Sequence, residues 1–156
     1  MIRARQRRAT IKRWPAAIDK REKAFQAFGA FLIGFVRDLN QLSEDGWAVL
    51  VEGARDERAM KGLGFLGPIA TVSSYSRKSG RAFGDARKVV ILTDLDREGG
   101  TLAARFVKRL SHEGFSTSLA ERKRLKGASK GVFLHIENLS RFADAEGYLH
   151  RETESL

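Results

Sequence analysis

From Phe25 to Leu39 the apolar residues Phe25, Phe28, Phe31, Leu32, Phe35, Val36 and Leu39 recur at three- and four-residue steps, and Ile33 widens the stripe. That spacing puts them on one face of a helix, so the pattern predicts an amphipathic helix across residues 17–46. At Trp47 the period changes. Trp47-Ala48-Val49-Leu50-Val51 is a continuous apolar run that stops at Glu52-Gly53, as a buried strand does where it ends in a turn. A short helix over 56–63 closed by Gly64 follows, then a second strand over 68–72 that leaves into a polar loop from Ser73 to Gly80. Lys88-Val89-Val90-Ile91-Leu92-Thr93 is the clearest strand, rich in β-branched residues with polar flanks. A helix from about Gly99 to His112 comes next, with Leu102, Ala103, Phe106, Val107 and Leu110 on its inner stripe, and a weaker strand over 115–119. Residues 132–136 read as a last strand or as the start of a terminal helix. Strands alternating with helices predict an α/β fold: a parallel sheet of about four strands flanked by helices, with right-handed crossovers and an N-terminal helical extension.

A chain of 156 residues is long enough for one domain with its own core. The pattern divides it into a basic arm (1–16), the amphipathic helix (17–46), an α/β core (47–120), and a basic segment with a C-terminal helix (121–156). The absence of Cys excludes a disulfide framework, a thiolate metal site and a catalytic Cys, and fits a reducing cytoplasm. No apolar run follows the basic N-terminus as a signal peptide requires, and the run Phe25–Val36 is too short to span a bilayer. A cytoplasmic protein without a membrane partner is expected. Its Phe-rich stripe packs on the domain or, as alternatives, joins two copies as a homodimer or lies along a membrane surface.

The formal net charge of +10 is unevenly placed. Residues 1–23 carry a net +7 and residues 121–131 a net +4, while 24–120 carry only +2 and 132–156 carry −3. Two basic clusters point to a polyanion partner, because neutralising phosphates releases counterions. For the N-terminal arm a solubilising role is the competing reading.

Against that background the stretch VILTDLDREGG (90–100) gathers Asp94, Asp96 and Glu98 just past a strand end, where open α/β sheets place their chemistry. Glu52 lies past another such end and should be its neighbour. On an extended segment Asp94 and Asp96 face one side, so both can reach one hard cation; Mg²⁺ suits them, with Mn²⁺ as a substitute, and Glu98 can add a ligand. A second reading is structural: Asp96 caps the following helix and Glu98 meets its positive end. Gly53, Gly99 and Gly100 permit close backbone approach or simply serve turn geometry. Arg55 and Arg97 beside the acids can receive phosphate oxygens or pair with carboxylates. The run Arg122, Lys123, Arg124 and Lys126 can line a nucleic-acid path. Residues 126–130 lack the spaced glycines of a phosphate loop, and His112, His135 and His150 show no zinc spacing.

The segments VLVEGARDERAM (49–60) and VVILTDLDREGGTLA (89–103) resemble the Toprim domain of topoisomerases, primases, overcoming-lysogenization-defect nucleases and 5S ribosomal RNA maturases. Glu52, Gly53 and Asp56 match its E-G-x-x-D motif, and Asp94 with Asp96 its D-x-D motif, over about residues 47–120. The phrase T-D-x-D-x-x-G is most similar to the small stand-alone proteins related to the 5S maturase. This resemblance implies a Rossmann-like Toprim fold and a catalytic set of Glu52, Asp94 and Asp96. Asp94 and Asp96 would hold Mg²⁺ against a phosphate, and Glu52 would act as general acid or base or as ligand to a second metal. Tyr75 and Tyr148 stand in no recognisable topoisomerase setting, and the chain is short for a primase. The expectation is therefore a metal-dependent endoribonuclease acting on structured, ribosomal RNA, with RNA favoured over DNA. A non-catalytic nucleic-acid-binding Toprim scaffold is the alternative, and phosphoryl or nucleotidyl transfer on a small nucleotide a third. Glu137 follows the 132–136 run and is not counted as catalytic.

Overall fold

The computed structural model describes residues 16–143, with side chains from residue 20. The basic arm before them and residues 144–156, including Tyr148 and His150, lie outside the described residues. In chain order the elements are α1 (Ala16–Glu44), β1 (Trp47–Val51), α2 (Ala54–Gly62), β2 (Ile69–Thr71) and α3 (Val72–Lys78), which runs into a 3-10 turn at Ser79–Phe83. β3 (Lys88–Ile91), α4 (Arg97–His112), β4 (Ser116–Ser118), α5 (Ala120–Ser129) and a second 3-10 turn at Ile136–Leu139 follow.

All four strands are parallel, in the order β2-β1-β3-β4. Val49 is opposite Ile69 on one side and Val90 on the other, and Val90 is opposite Ser118. Alternation along the central strands sorts two cores. Val49, Val51, Val90 and Leu92 face a layer containing Met60 of α2, Leu125 of α5 and the buried stripe of α1. Ala48, Leu50, Val89 and Ile91 face the opposite layer with Tyr75, Phe83, Phe106 and Leu110. The fold is thus α/β, with helices covering both faces of the sheet.

α1 uses its stripe on the chain's own sheet. Phe28, Leu32, Phe35, Val36 and Leu39 are buried, and each such side chain contributes about 1.5–3 kcal/mol when withdrawn from water. Ile33 and Phe25 remain 41% and 42% exposed. Phe25 stacks on Phe142 at 4.4 Å and Phe28 on Phe133 at 5.0 Å, so the C-terminal segment closes over the helix. No helix among the described residues is long and apolar enough to cross a membrane.

Two segments differ from their sequence patterns. The polar stretch after β2 is helical, because the Thr71 hydroxyl accepts from the Ser74 amide at 3.0 Å and starts α3. One buried aromatic, Tyr75, then docks that turn on the sheet. Residues 132–135 form neither strand nor helix; past β3 the Leu134 carbonyl accepts from the Leu95 amide, and the chain then enters the turn Ile136–Leu139. From β1 the chain moves to β2 on one side, while β3 pairs on the other. That reversal leaves a crevice past the carboxyl ends of β1 and β3.

Candidate functional site

Glu52 is the first residue past β1, and Asp94 and Asp96 follow β3 across the same crevice. The Leu92 amide continues the strand pairing by donating to the Leu50 carbonyl at 2.8 Å, which carries the chain level with the end of β1. The Asp94 amide then donates to Glu52 Oε1 at 3.1 Å. Asp94 Oδ1 accepts from the Ile136 amide at 2.9 Å, and its Oδ2 lies 3.3 Å from His135 Nδ1. Asp96 divides its two oxygens: Oδ1 caps α4 by accepting from the Gly99 amide at 2.7 Å, and Oδ2 lies 3.9 Å from the same His135 nitrogen. Helix capping and participation in the cluster are therefore both functions of Asp96.

The backbone of this loop is set by residues beneath it. Gly99 is essential to its path, since a Cβ there would lie 1.9 Å from the Asp94 carbonyl oxygen. Gly53 and Gly100 have no such constraint, with nearest neighbours at 4.0 and 3.7 Å. The buried Thr93 hydroxyl donates to the Gly99 carbonyl at 2.7 Å. Arg122, expected on an exposed nucleic-acid path, is instead buried. Its guanidinium donates to the carbonyls of Thr93, Asp94 and Asp96 at 3.4, 2.6 and 3.3 Å. Those carbonyls point away from the strand ladder, and only a forked, permanently charged donor reaches all three. Asp56, also buried, accepts from the Gly53 amide at 3.0 Å and so holds the turn that carries Glu52.

Crowded carboxylates alter one another. Burial raises the Glu52 pKa above its ordinary value, the Asp94 amide opposes this, and the charges of Asp94, Asp56 and Asp96 add to the rise. Asp56 is raised mainly by burial, against the hydrogen bond from Gly53. The hydrogen bond with Asp94 raises His135, with the Asp96 and Glu137 charges adding to it. Asp94, Asp96 and His135 each present one donor atom within 4.8 Å of the others. Two carboxylates and an imidazole form a donor set suited to a divalent cation.

No protein-family model matches the chain. A UPF0292 protein of Methanosarcina acetivorans is 33% identical over 104 residues, spanning 65% of this chain and 72% of that relative. The chain belongs to the UPF0292 family. A further UPF0292 relative from Thermococcus gammatolerans is 32% identical over 106 residues, 67% of this chain and 80% of its own length. Among solved structures, a putative protein from Aquifex aeolicus superposes with a TM-score of 0.57 at 27% identity, covering 67% of this chain and 94% of that one.

In this UPF0292 chain the remaining sequence candidates fall in different places. Glu98 sits exposed on the first turn of α4, outside the Asp94–Asp96–His135 group, and Glu52 joins that group only through the Asp94 amide. Arg97 is exposed at the start of α4, and Arg55, 79% exposed, comes within 3.9 Å of Glu137. Arg124 pairs with Asp38 at 2.7 Å and lies over the Phe31 and Phe35 rings, which ties α5 to α1. Lys123 and Lys126 are exposed on α5. His135 is the residue that sequence spacing does not reveal: its partner lies 41 positions earlier, and no local motif links them.

Proposed function

We propose that this protein performs metal-dependent phosphodiester chemistry on nucleic acid, as a Toprim-type endoribonuclease acting on structured, ribosomal RNA. The observation that carries the reading is the convergence of Glu52 with Asp94 and Asp96 across 42 sequence positions, at the crevice where the strand order reverses. Asp94, Asp96 and His135 are the residues that would hold Mg²⁺ or Mn²⁺, and the imidazole makes the set as suitable for Mn²⁺ as for Mg²⁺. A divalent ion bound there supplies charge that stabilises a phosphoryl oxygen during attack.

The protein's own groups have separable tasks. The Ile136 amide fixes the Asp94 carboxylate, so its second oxygen points to the cluster without reorganisation. Glu52, with a raised pKa and a carboxylate beside the cluster, is suited to hold or move a proton as general acid or base. Arg55 and Arg97, exposed at the rims, supply donors for phosphate oxygens. The preference for RNA comes from the resemblance to 5S ribosomal RNA maturases and not from site geometry. A chain without Cys fits a reducing cytoplasm as its place of action.

The test is cleavage of labelled precursor 5S ribosomal RNA beside single- and double-stranded DNA, with Mg²⁺, Mn²⁺ or EDTA, for wild type, Glu52→Gln and Asp94→Asn. Metal-dependent cutting that disappears in both variants supports the proposal. Binding without cutting across the panel overturns it in favour of a non-catalytic scaffold.

A further inference from the structure

Residues 77–87 place Arg77, Lys78, Arg81 and Arg87 against a single acid of their own, Asp85. The structure gathers these four cations around a cleft of about 740 Å³ between the end of α3, the following 3-10 turn and the entry to β4. Glu113, the carboxylate in the cleft wall, is already occupied: the Tyr75 hydroxyl donates to it at 2.5 Å and Arg109 lies 3.9 Å away. Arg87 rests over the Phe115 ring at 5.9 Å. Among the described residues no carboxylate comes within ion-pair distance of Arg77, Lys78 or Arg81.

The frame that holds these charges is firm. Tyr75 and Phe83 anchor the two short helical turns in the core, each 1% exposed. Ser79 between them takes φ +51°, a left-handed conformation uncommon for a residue with a side chain. Gly80 packs so closely on Phe115 that a Cβ would lie 2.9 Å from its ring. Basic residues at a helix C-terminus complement the helix dipole, which accounts for Arg77 and Lys78 at the end of α3 and for Arg81 in the last turn of the 3-10 helix, but not for Arg87. Glu113 is engaged by Tyr75 and Arg109, and Asp85 comes within ion-pair distance of none of the four cations, so these like charges repel one another and a polyanion relieves that repulsion.

We propose that this cleft is a second phosphate-binding site, which grips the backbone of a nucleic acid at the amino-terminal end of the strands. It rests on the functional reading only in taking nucleic acid as the polyanion. Arg87 precedes β3 and Asp94 follows it, so the two sites stand roughly 20 Å apart at the rise of an extended strand. A B-form duplex in contact with both extends about six base pairs from the carboxylates, and an A-form RNA, with its shorter rise, somewhat more.

The test measures binding of a fluorescent RNA hairpin longer than that span to the full chain in EDTA, as a function of KCl concentration. The cleft variant Arg77→Gln/Arg81→Gln/Arg87→Gln is compared with a charge-reduced control on the exposed side of α4, Arg105→Gln/Lys108→Gln. The expected result is a salt slope lowered by about two to three in the cleft variant, well beyond the control. Arg81→Lys, which keeps the charge, should retain the wild-type slope. A cleft variant whose slope matches the control, or a wild type that does not bind the hairpin at low salt, overturns the proposal. Metal-dependent cutting is scored separately. Loss of slope without any cutting leaves this site standing and removes the nuclease reading; cutting with an unchanged slope does the reverse.

Discussion

The acid cluster at the carboxyl end of the β-sheet and the basic cleft at its amino end are built by opposite means. At the carboxyl end Asp94, Asp96 and Glu52 each accept a backbone amide, and two of those three bonds join residues 42 positions apart. At the amino end Arg77, Lys78 and Arg81 have no acidic partner among the described residues, and a turn of a few residues places them. An acid that must hold a fixed direction is tied to the backbone; a cation that attracts from a distance needs only a firm base. The acidic end should therefore respond to substitution in stability and turnover, and the basic end almost wholly in salt dependence.

The largest effect expected is at Asp94. Asp94→Asn should lower metal-dependent cleavage at least about a thousandfold, roughly 4 kcal/mol of transition-state stabilisation, in single-turnover assays. Its chemical denaturation midpoint in EDTA should stay near wild type. Gly99→Ala comes next, because its Cβ meets a backbone carbonyl that cannot swing aside. A loss of about 3 kcal/mol in urea unfolding is expected, against less than about 1 kcal/mol for Gly53→Ala. Equal losses in the two would show that the loop can shift at little cost. Arg122→Met keeps much of the buried stem but strands three carbonyls, for a loss of about 2–3 kcal/mol by the same measurement. Arg122→Lys, with no fork, should not restore it.

Smaller and opposite in sign is Glu52→Gln. The folded-state pKa of Glu52 lies above its ordinary value of 4.5, so wild-type stability falls as pH rises through the folded value. Removing the charge should raise the melting temperature by roughly 1–3 °C at pH 7 in EDTA, and the gain should vanish near pH 4. A variant less stable than wild type at pH 7 would refute the repulsion on which this rests. The smallest effect belongs to the amino end: Arg81→Gln should leave the melting temperature within about 1 °C of wild type, since its charge is exposed.

The central architecture is legible in the sequence because β1 and β3 are short unbroken apolar runs rich in β-branched residues, each followed within two residues by a carboxylate, as strands of a sheet buried on both faces are. Glu52, Asp94 and Asp96 follow from their places after those runs. The rest is hidden for physical reasons. Arg122 stands among exposed cations of similar appearance, and only the packing of α5 under the loop turns it inward. His135 is brought in by a segment without regular structure, which no periodicity marks. The helix after β2 is concealed because a single buried Tyr75 docks an otherwise polar run. The basic cleft disappears into the near neutrality of residues 24–120, whose acids include Glu52, Asp94 and Asp96 at the opposite end of the strands.

The strap from Leu134 to Ile136 also sets a timetable. The Leu95 amide donates to the Leu134 carbonyl at 2.6 Å, and the Ile136 amide to Asp94. A ribosome releases the amino end first, so β1 and β3 can pair while that strap is still unmade. Until residue 136 has emerged, the Asp94 carboxylate lacks its amide and the cluster its imidazole. A chain cut short before residue 135 would thus keep the sequence of every strand while lacking the amide and the imidazole that complete the cluster.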